Sequence, residues 1–563
     1  MTRTDPASAD VAQTRRAVEQ LAERFWAWRA RRQPRTLDDI PRLDRPDGWV
    51  PSFTAAAVAR DREDLIRFRD ECRALADAPA SVPTQVDRRL LATAIDRVHW
   101  ELELVQSWCR DPGFYVDQSL GVVFDLLLRP PPFDRRRCEA LLGQLTAIPE
   151  ILEQGRTNLR GNAVGEFTTL TANRLTAADE QLLDAINALR TYVPDDIARQ
   201  LTEPARAAAR AVAAFRDECG ALASDLQPTR AIGAEAFQFY LSRVALLPLA
   251  ARDVIDLGRR EFDRAVTLEA LVRLRNRDRP RPKPFTDIDS QIAAQARAEL
   301  DERRFYHDRG LLSVPSDLPR YLTAPCPPYL EPLSWLGVRD ELGSLARPDD
   351  DAVSYTPDPA GDLGYFDRAN TVDPRLGIIH EGAHHQQLAL ARRNPRPVRR
   401  HYYDSCANEG LAFYNEEMLL TAGLLDDHPG AQEYVLNMMR LRALRVDVDV
   451  RLALGELSVD EAARLLEQRT PMDRATARQE AAFFAATPGQ GLTYQVGKSQ
   501  VLSFVADALL DGNDMRRIND YLWKNGNVPI ALLRWEFLGD AGALRQAELL
   551  APSSASAAQG PAD

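Results

Sequence analysis

The spacing of hydrophobic residues along the chain is mainly that of α-helices. In the first segment, residues 8–33, the side chains of Val18, Leu21, Phe25 and Trp28 recur at intervals that place them on one helix face. Leu, Ala, Arg and Glu dominate throughout, and all four are good helix formers. The pattern therefore predicts a mainly α-helical protein. Further helical segments are predicted at residues 54–110, 134–160, 177–226, 232–275, 289–304 and, with short interruptions, 376–549.

One segment departs from this helical spacing. Residues 352–362 carry turn signals and lead into a β-prone run from Leu363 to Val372. We expect a short β segment there, next to the helix that carries the candidate chemistry. An edge strand beside a site can pair with the backbone of an extended peptide, which makes Tyr365, Arg368 and Asn370 candidate substrate contacts.

Composition narrows the classes of partner. The 563 residues carry a net charge of −12, which is not the basic footprint of a nucleic-acid-binding protein. No apolar run reaches the length of a membrane span. The N-terminus lacks the apolar stretch of a secretory signal. We therefore expect a cytoplasmic protein that binds neither nucleic acid nor a membrane, while its oligomeric state is not defined by the sequence.

The candidate chemistry begins at residues 380–384, which read His-Glu-x-x-His. Histidine is rare, with seven in the chain, and four of these lie between residues 380 and 401. Positions i and i+4 share one face of a helix, so His380 and His384 can present two imidazoles to one Zn²⁺. Glu381 then lies beside a metal-bound water and can take its proton. The motif predicts one catalytic zinc ion per chain.

A third zinc ligand is expected from the helix that follows. Glu409 stands 25 residues after His384, and the loop between them is long enough to bring the chain back antiparallel. Glu416, seven residues later, shares the face of Glu409 and can orient a ligand histidine. His385 adjoins His384; it is interpreted as a group that supports the site or binds substrate, and a purely structural histidine is the alternative.

Several further segments follow a known pattern. They are GAEAFQFYLSR at 233–243, EGLAFYNE at 409–416, RALRVDVDV at 442–450, PGQGLTYQVGKSQVL at 488–502 and DMRRINDYLWKNGNVPIALLR at 514–534. In these motifs the sequence resembles the bacterial family called domain of unknown function 885. That family is similar to the helical zinc peptidases of the angiotensin-converting-enzyme and thimet-oligopeptidase kind. The resemblance implies a large, two-lobed helical protein with a deep central cleft and a zinc site of two histidines and a glutamate.

The zinc motif departs from the family pattern. Relatives have His-Glu-x-x-Pro-Gly-His-His, whereas HEGAHH at 380–385 lacks the Pro-Gly pair. His380 and Glu381 correspond directly to the family residues. Either His384 or His385 can occupy the second histidine position, and the spacing favours His384.

A zinc hydrolase also needs a donor for the charge that develops on the substrate oxygen. Tyr494 is the candidate, and a tyrosine downstream of the metal motif plays this part in the helical peptidases that the family resembles. Lys498, four residues later, can bind a carboxylate, but a solvated lysine is the prediction. The same is predicted of the arginines in the loop between the two ligand helices, which are Arg392, Arg393, Arg396, Arg399 and Arg400.

These inferences define one leading hypothesis and two alternatives. The first is a zinc-dependent metallohydrolase, a peptidase that cleaves short peptides. The second is a zinc enzyme that acts on a small non-peptide amide or an amino-acid-derived metabolite, and the third is an inactive helical binding protein. We divide the chain into an N-terminal helical part of the cleft at 1–230, a zinc-binding part at 231–550 and a disordered tail at 551–563.

Overall fold

A computed structural model describes residues 6–36, 43–223, 226, 231–401 and 404–552. This part of the chain is mainly α-helical, as the hydrophobic spacing predicts, with one small β-sheet. The first ten helices are α1 (Pro6–Arg32), α2 (Ala55–Ala74), α3 (Val82–His99), α4 (Ser107–Arg110), α5 (Pro112–Val116), α6 (Val122–Leu128), α7 (Arg135–Leu159), α8 (Gly165–Arg174), α9 (Ala178–Leu189) and α10 (Asp195–Leu222). Residues 553–563 of the predicted tail lie outside the described residues.

The zinc motif lies in the second group of helices. This group consists of α11 (Ala234–Phe239), α12 (Ala251–Arg275), α13 (Ile288–Arg309), α14 (Tyr365–Val372), α15 (Arg375–Gly377), α16 (Ala383–Arg392), α17 (Ser405–Ala422), α18 (Pro429–Ala453), α19 (Val459–Arg469), α20 (Arg474–Ala486), α21 (Thr493–Leu510), α22 (Met515–Lys524), α23 (Ile530–Leu538) and α24 (Gly542–Leu550). Wider π-type turns extend or join helices at Trp100–Val105, Asp117–Gly121, Tyr240–Val244 and Ile378–Gly382, and short 3₁₀ turns lie at Glu331–Leu336 and Pro397–Arg400.

The sheet lies between α13 and α14 in sequence. Its strands are β1 (Tyr321–Pro325), β2 (Asp340–Glu341) and β3 (Ala352–Thr356), and β3 is central, parallel to β1 and antiparallel to β2. Gln295 of α13 closes the outer edge of β1, since its side-chain amide donates to the Tyr321 carbonyl and accepts from the Thr323 amide. This stretch of β1 is therefore already paired and does not offer these groups to an extended peptide.

The predicted strand from Leu363 to Val372 is wrong. Residues Tyr365–Val372 form α14, and the β structure lies earlier in the chain. Gly364 precedes the helix in an extended conformation. The negative charge of Asp367, in the first turn, is favourable at the positive end of the helix dipole. The aromatic and β-branched residues that suggested a strand are accommodated in a two-turn helix whose start is fixed by these local signals.

Two large hydrophobic cores organise the molecule. One joins the first three helices to helices of the C-terminal part, and includes Phe25, Phe68 and Trp523. The other is built from α5–α10 together with residues 329–336. The N-terminal helices therefore contribute to both cores. The division of the chain at residue 230 stays a prediction.

Lys498 and Arg399, both predicted from the sequence to be solvated, are buried in the structure. Lys498 has no exposed surface, and its Nζ lies 2.7 Å from Glu417 Oε2. Arg399 lies 2.7 Å from Asp87 and 2.8 Å from Glu536. A buried cation requires an opposite charge, and these carboxylates come from elements that are distant in sequence. The prediction of a solvated lysine and a fully solvated arginine loop is therefore wrong at these positions.

Candidate metal centre

The His-Glu-x-x-His motif lies where a π-type turn joins two regular helical segments. The turn Ile378–Gly382 joins α15 to α16 and carries His380 and Glu381, while His384 lies in the first turn of α16. Turns of this kind occur frequently at functional sites. Asn415 of α17 donates its side-chain amide to the Ile379 carbonyl at 2.9 Å, so the neighbouring helix stabilises the turn.

Glu409 on α17 meets the two histidines. Its Oε2 lies 3.3 Å from His380 Nε2 and 3.4 Å from His384 Nε2, and ligand atoms of the three residues lie within 4.8 Å of one another. Ligands about 2.0–2.1 Å from a tetrahedral zinc ion are about 3.3 Å apart. Glu409 Oε2 is buried and has no hydrogen bond of good geometry among the described residues. The donor set and its spacing therefore fit one zinc ion.

The far side of His380 is held by a charged pair. Its Nδ1 lies 2.6 Å from Glu416 Oε1 and 3.3 Å from Arg442 Nη2. Arg442 of α18 also donates to the other oxygen of Glu416 at 2.7 Å. This arrangement directs Nε2 of His380 towards Glu409, as expected for a metal-ligating histidine. Burial and Arg442 lower the pKa of His380, but the two nearby carboxylates outweigh them and raise it to about 9.

Electrostatics keep the ligand carboxylate ionised. Burial opposes the charge of Glu409, but the attraction of His384 and His380 outweighs burial and holds the pKa of Glu409 below its usual range. Burial would raise the pKa of Glu416 as well, but Arg442 and His380 outweigh burial, and the pKa of Glu416 is lowered. Both carboxylates are thus available as acceptors at neutral pH.

A close crossing of α17 and α21 brings Tyr494 to the site. An added Cβ at Gly410 would overlap the backbone of Gly497, and one at Gly497 would overlap the carbonyl of Cys406. The two backbones touch, with Glu409 beside one glycine and Tyr494 one turn before the other. The Tyr494 ring lies parallel to that of His380, with 6.1 Å between centroids.

Tyr494 lies among cations as well as beside the histidine. The guanidinium carbons of Arg442 and Arg445 are 5.3 and 5.0 Å from its ring centroid. Burial, and next the charge of Glu409, raise the pKa of Tyr494 above its ordinary value. The phenol therefore keeps its proton throughout the physiological range and can act as a hydrogen-bond donor.

Two further candidate residues, His385 and Tyr365, lie apart from the three ligand atoms. His385 is fully buried and its Nε2 lies 2.9 Å from the Pro319 carbonyl, and burial lowers its pKa to about 4. His384, rather than His385, joins the ligand group. Tyr365, at the start of α14, donates to Asn437 of α18 and lines the cavity beside the site.

That cavity has a volume of about 1390 Å³. His380, Glu381 and Tyr494 line it, together with all three strands of the sheet. Its aromatic lining includes Trp28, Phe53, Trp100, Trp108, Phe114, Phe167, Trp335, Phe366 and Phe483. The candidate chemistry thus faces a large chamber with a partly aromatic wall.

Sequence reasoning missed several residues that shape the site. Asn415 and Arg442 both lie in segments singled out by their resemblance to the family, EGLAFYNE and RALRVDVDV, but no role was assigned to them. The sheet residues Tyr321 and Asp340, which also line the cavity, had no signal in the sequence. The motif positions could have drawn attention to the first pair, whereas the second pair depends on the tertiary fold.

Residues 40–306 and 365–536 match the family described as "Bacterial protein of unknown function (DUF885)". The chain belongs to this family. The second DUF885 segment contains every residue of the metal centre, whereas the sheet lies between the two matched segments. No curated protein matches the chain.

Two solved structures share the fold. A "putative lipoprotein of unknown function" from Shewanella oneidensis is 15% identical, with a TM-score of 0.67 over 94% of this chain and 99% of that one. A "putative lipoprotein" from Colwellia psychrerythraea is 14% identical, with a TM-score of 0.67 over 96% of this chain and 98% of that one. Among the described residues, no helix combines the length and apolar character that a membrane span requires.

Proposed function

We propose that this DUF885 protein is a zinc-dependent metallohydrolase that cleaves short peptides. The observation that carries the proposal is the convergence of His380, His384 and Glu409 on one point, where His380 and the neighbouring Glu381 line a large cavity. Two histidines and a glutamate with an open fourth position are typical of catalytic zinc. The resemblance to helical zinc peptidases that the sequence motifs imply favours the same proposal.

The residues around this point have complementary tasks. Zinc, when bound, supplies the Lewis acidity that activates water and polarises a substrate carbonyl. Glu381 takes a proton from the attacking water as its oxygen bonds to the carbonyl carbon, and returns that proton to the leaving nitrogen as the carbon–nitrogen bond breaks. Tyr494 donates a hydrogen bond to the substrate oxygen as negative charge develops there.

The size of the cavity supports a peptide rather than a smaller metabolite. Pockets for small molecules have volumes of about 300–1,000 Å³, and this cavity exceeds that range at about 1390 Å³. Aromatic walls suit the apolar side chains of a peptide.

The experiment has a metal-binding arm and an activity arm. We expect one zinc per chain in the purified protein by mass spectrometry of the metal, and loss of zinc in His380→Ala. His385→Gln is the matched control, since its residue adjoins a ligand but bonds to Pro319 instead; it should retain zinc. A mixture of di- to decapeptides should be cleaved by the wild type and not by zinc-loaded Glu381→Gln. Peptides cleaved equally by both proteins would overturn the proposed role of Glu381.

For the location we propose the cytoplasm, as expected in the sequence analysis. The two structural neighbours are described as putative lipoproteins, and that description concerns those proteins. Fractionation of bacteria that express the full chain provides the test. Recovery in the membrane fraction, released only by detergent, would contradict a cytoplasmic location.

A further inference from the structure

A row of polar side chains crosses the sheet on the face towards the cavity. Thr323 of β1 is the partner of Ser354 on β3, and Ser354 is the partner of Asp340 on β2. Residues directly opposite one another in a sheet point to the same face. All three line the cavity, as do Tyr321 and Glu381. The row therefore forms part of the wall that also carries the proposed general base.

Asp340 is the charged member of this row. It is 6% exposed and accepts hydrogen bonds from Tyr321, at 3.2 Å, and from Ser354. Burial, and then the charge of Glu381, raise the pKa of Asp340 to about 7. Within the described chain it has no cation at ion-pairing distance.

The arginines of the same cavity differ from Asp340 in this respect, because each has a carboxylate partner. They are Arg29, Arg32, Arg35, Arg97, Arg174, Arg339, Arg442, Arg445 and Arg478. A buried carboxylate without such a partner is costly unless it takes up a proton or a ligand supplies the opposite charge. Charge complementarity at this end of the cavity thus favours a cation.

A second buried acceptor lines the same cavity. Gln291 of α13 is 2% exposed, and its Oε1 has no hydrogen-bond partner among the described residues. Gln291 lies one helical turn before Gln295, whose side chain bonds to the backbone of β1. A buried, unpaired carbonyl oxygen and a carboxylate together match a group with several N–H donors.

We propose that Asp340 binds a primary ammonium group of the substrate next to the scissile carbonyl, as at the N-terminus of a short peptide, and that Gln291 accepts a second hydrogen bond from it. This inference rests on the proposed function. An α-ammonium nitrogen is two covalent bonds from the carbonyl carbon, so its binding beside Glu381 presents that carbon to the activated water. The substrate class is then that of an aminopeptidase. Asp340 lies outside both segments that match DUF885, so the proposal concerns this chain.

The test uses three metal-binding probes that differ at the amine. They are L-leucine hydroxamate, its N-acetyl derivative and 4-methylpentanohydroxamate, which keeps the side chain but lacks the amine. Binding to the zinc-loaded protein is measured by calorimetry. We expect the free-amine probe to bind about tenfold tighter than the other two in the wild type, as a charge-assisted hydrogen bond would give. In Asp340→Asn the three affinities should lie within about twofold of one another.

The control is Asp111→Asn, a half-buried carboxyl that lines the cavity but caps α5 instead of facing the sheet; it should keep the preference for the amine. Equal affinities for the three probes in the wild type, or a preference that survives in Asp340→Asn, would overturn the proposal. The wild-type comparison decides even if Asp340→Asn does not fold. Loss of binding of all three probes, unrestored by zinc, would instead reject the proposed metal site.

Discussion

The amide nitrogen of Asn415 lies 2.9 Å from the carbonyl oxygen of Ile379, within the turn that carries His380 and Glu381. This contact orients the whole amide group, because only its nitrogen can donate to a carbonyl. The amide oxygen of Asn415 therefore faces Tyr306, whose hydroxyl donates to it at 2.8 Å. A polar chain thus runs from α13 through α17 to the proposed metal helix.

Replacement of Asn415 should weaken zinc binding without touching a ligand. Asn415→Leu removes the bond to Ile379, so the π-type turn and the two histidines around it are less firmly oriented. We expect zinc affinity to fall by about tenfold or more, the usual effect of groups that orient metal ligands. Competition with a fluorescent zinc chelator measures this change.

Asn519→Leu provides the matched control for Asn415→Leu. Asn519 is another fully buried asparagine that accepts from a tyrosine, Tyr414, and donates to a backbone carbonyl, that of Leu311. Its hydrogen bonds in the described structure go to Tyr414, Leu311 and Met418, and none of these residues belongs to the metal helix. Its variant should lose stability while keeping wild-type zinc affinity. If both variants bind zinc equally well, Asn415 has no orienting role.

The sequence predicted what depends on local geometry. His380 and His384 are one helical turn apart, so the fold needs only a helix to bring them together. Glu409 required one further inference, that a loop returns the chain antiparallel, and the geometry brings its carboxylate to both histidines. The long helices were predictable for the same reason, because their apolar positions repeat within a few residues.

What escaped prediction depends on contacts between distant segments. Lys498 alone is typical of a solvated position, and only the packing of α17 against α21 supplies Glu417 as its partner. Asp340 belongs to a two-residue strand that exists only because β3 pairs with it. In Tyr365–Val372 the sequence contains the signals of a helix start, but the β-prone side chains of this segment favoured the prediction of a strand.

Removal of the Tyr494 hydroxyl should slow chemistry and spare the metal. Tyr494→Phe keeps the ring that stacks on His380 but removes the proposed donor to the substrate oxygen. We expect kcat to fall by about 10²–10³, as for the loss of one such donor, with zinc content unchanged. Steady-state kinetics on the best peptide from the mixed library gives the measurement. Tyr414→Phe, on α17 but bonded to Asn519, should retain kcat.

A side chain at Gly497 should separate the two helices that bring Glu409 and Tyr494 together. The Cβ of Gly497→Ala would overlap the backbone of Cys406, which cannot move as a side chain can. We expect a loss of about 2 kcal/mol or more in the free energy of unfolding and a parallel loss of zinc affinity. Gly143→Ala is the control: this exposed glycine inside α7 has space for a Cβ, so the variant should be neutral or more stable.

Glu302 should make stability depend on pH. It is 1% exposed, and burial raises its pKa to about 8. The hydrogen bonds also indicate that Glu302 is protonated. The Tyr306 hydroxyl has one proton, which it donates to Asn415, so the proton in the 3.2 Å contact between Tyr306 and Glu302 comes from Glu302. Because its pKa is higher in the folded protein than in the unfolded chain, its contribution to stability is complete below about pH 4.5 and is lost as the pH rises through about 8.

Glu302→Gln isolates this effect, because glutamine reproduces the shape and the hydrogen-bonding groups of the protonated carboxyl and cannot ionise. It can accept from Gln386, as Glu302 does at 3.0 Å, and donate towards Tyr306. The free energies of unfolding of both proteins, measured by denaturant titration at pH 5, 6.5 and 8, should therefore diverge as the pH rises. At pH 8 the variant should have gained stability relative to the wild type on the order of a few kcal/mol. The other ionisable groups contribute equally to both proteins and cancel in the difference. A constant difference across this range would mean that Glu302 is charged at neutral pH, and the polar chain behind the metal helix would then need a different proton arrangement.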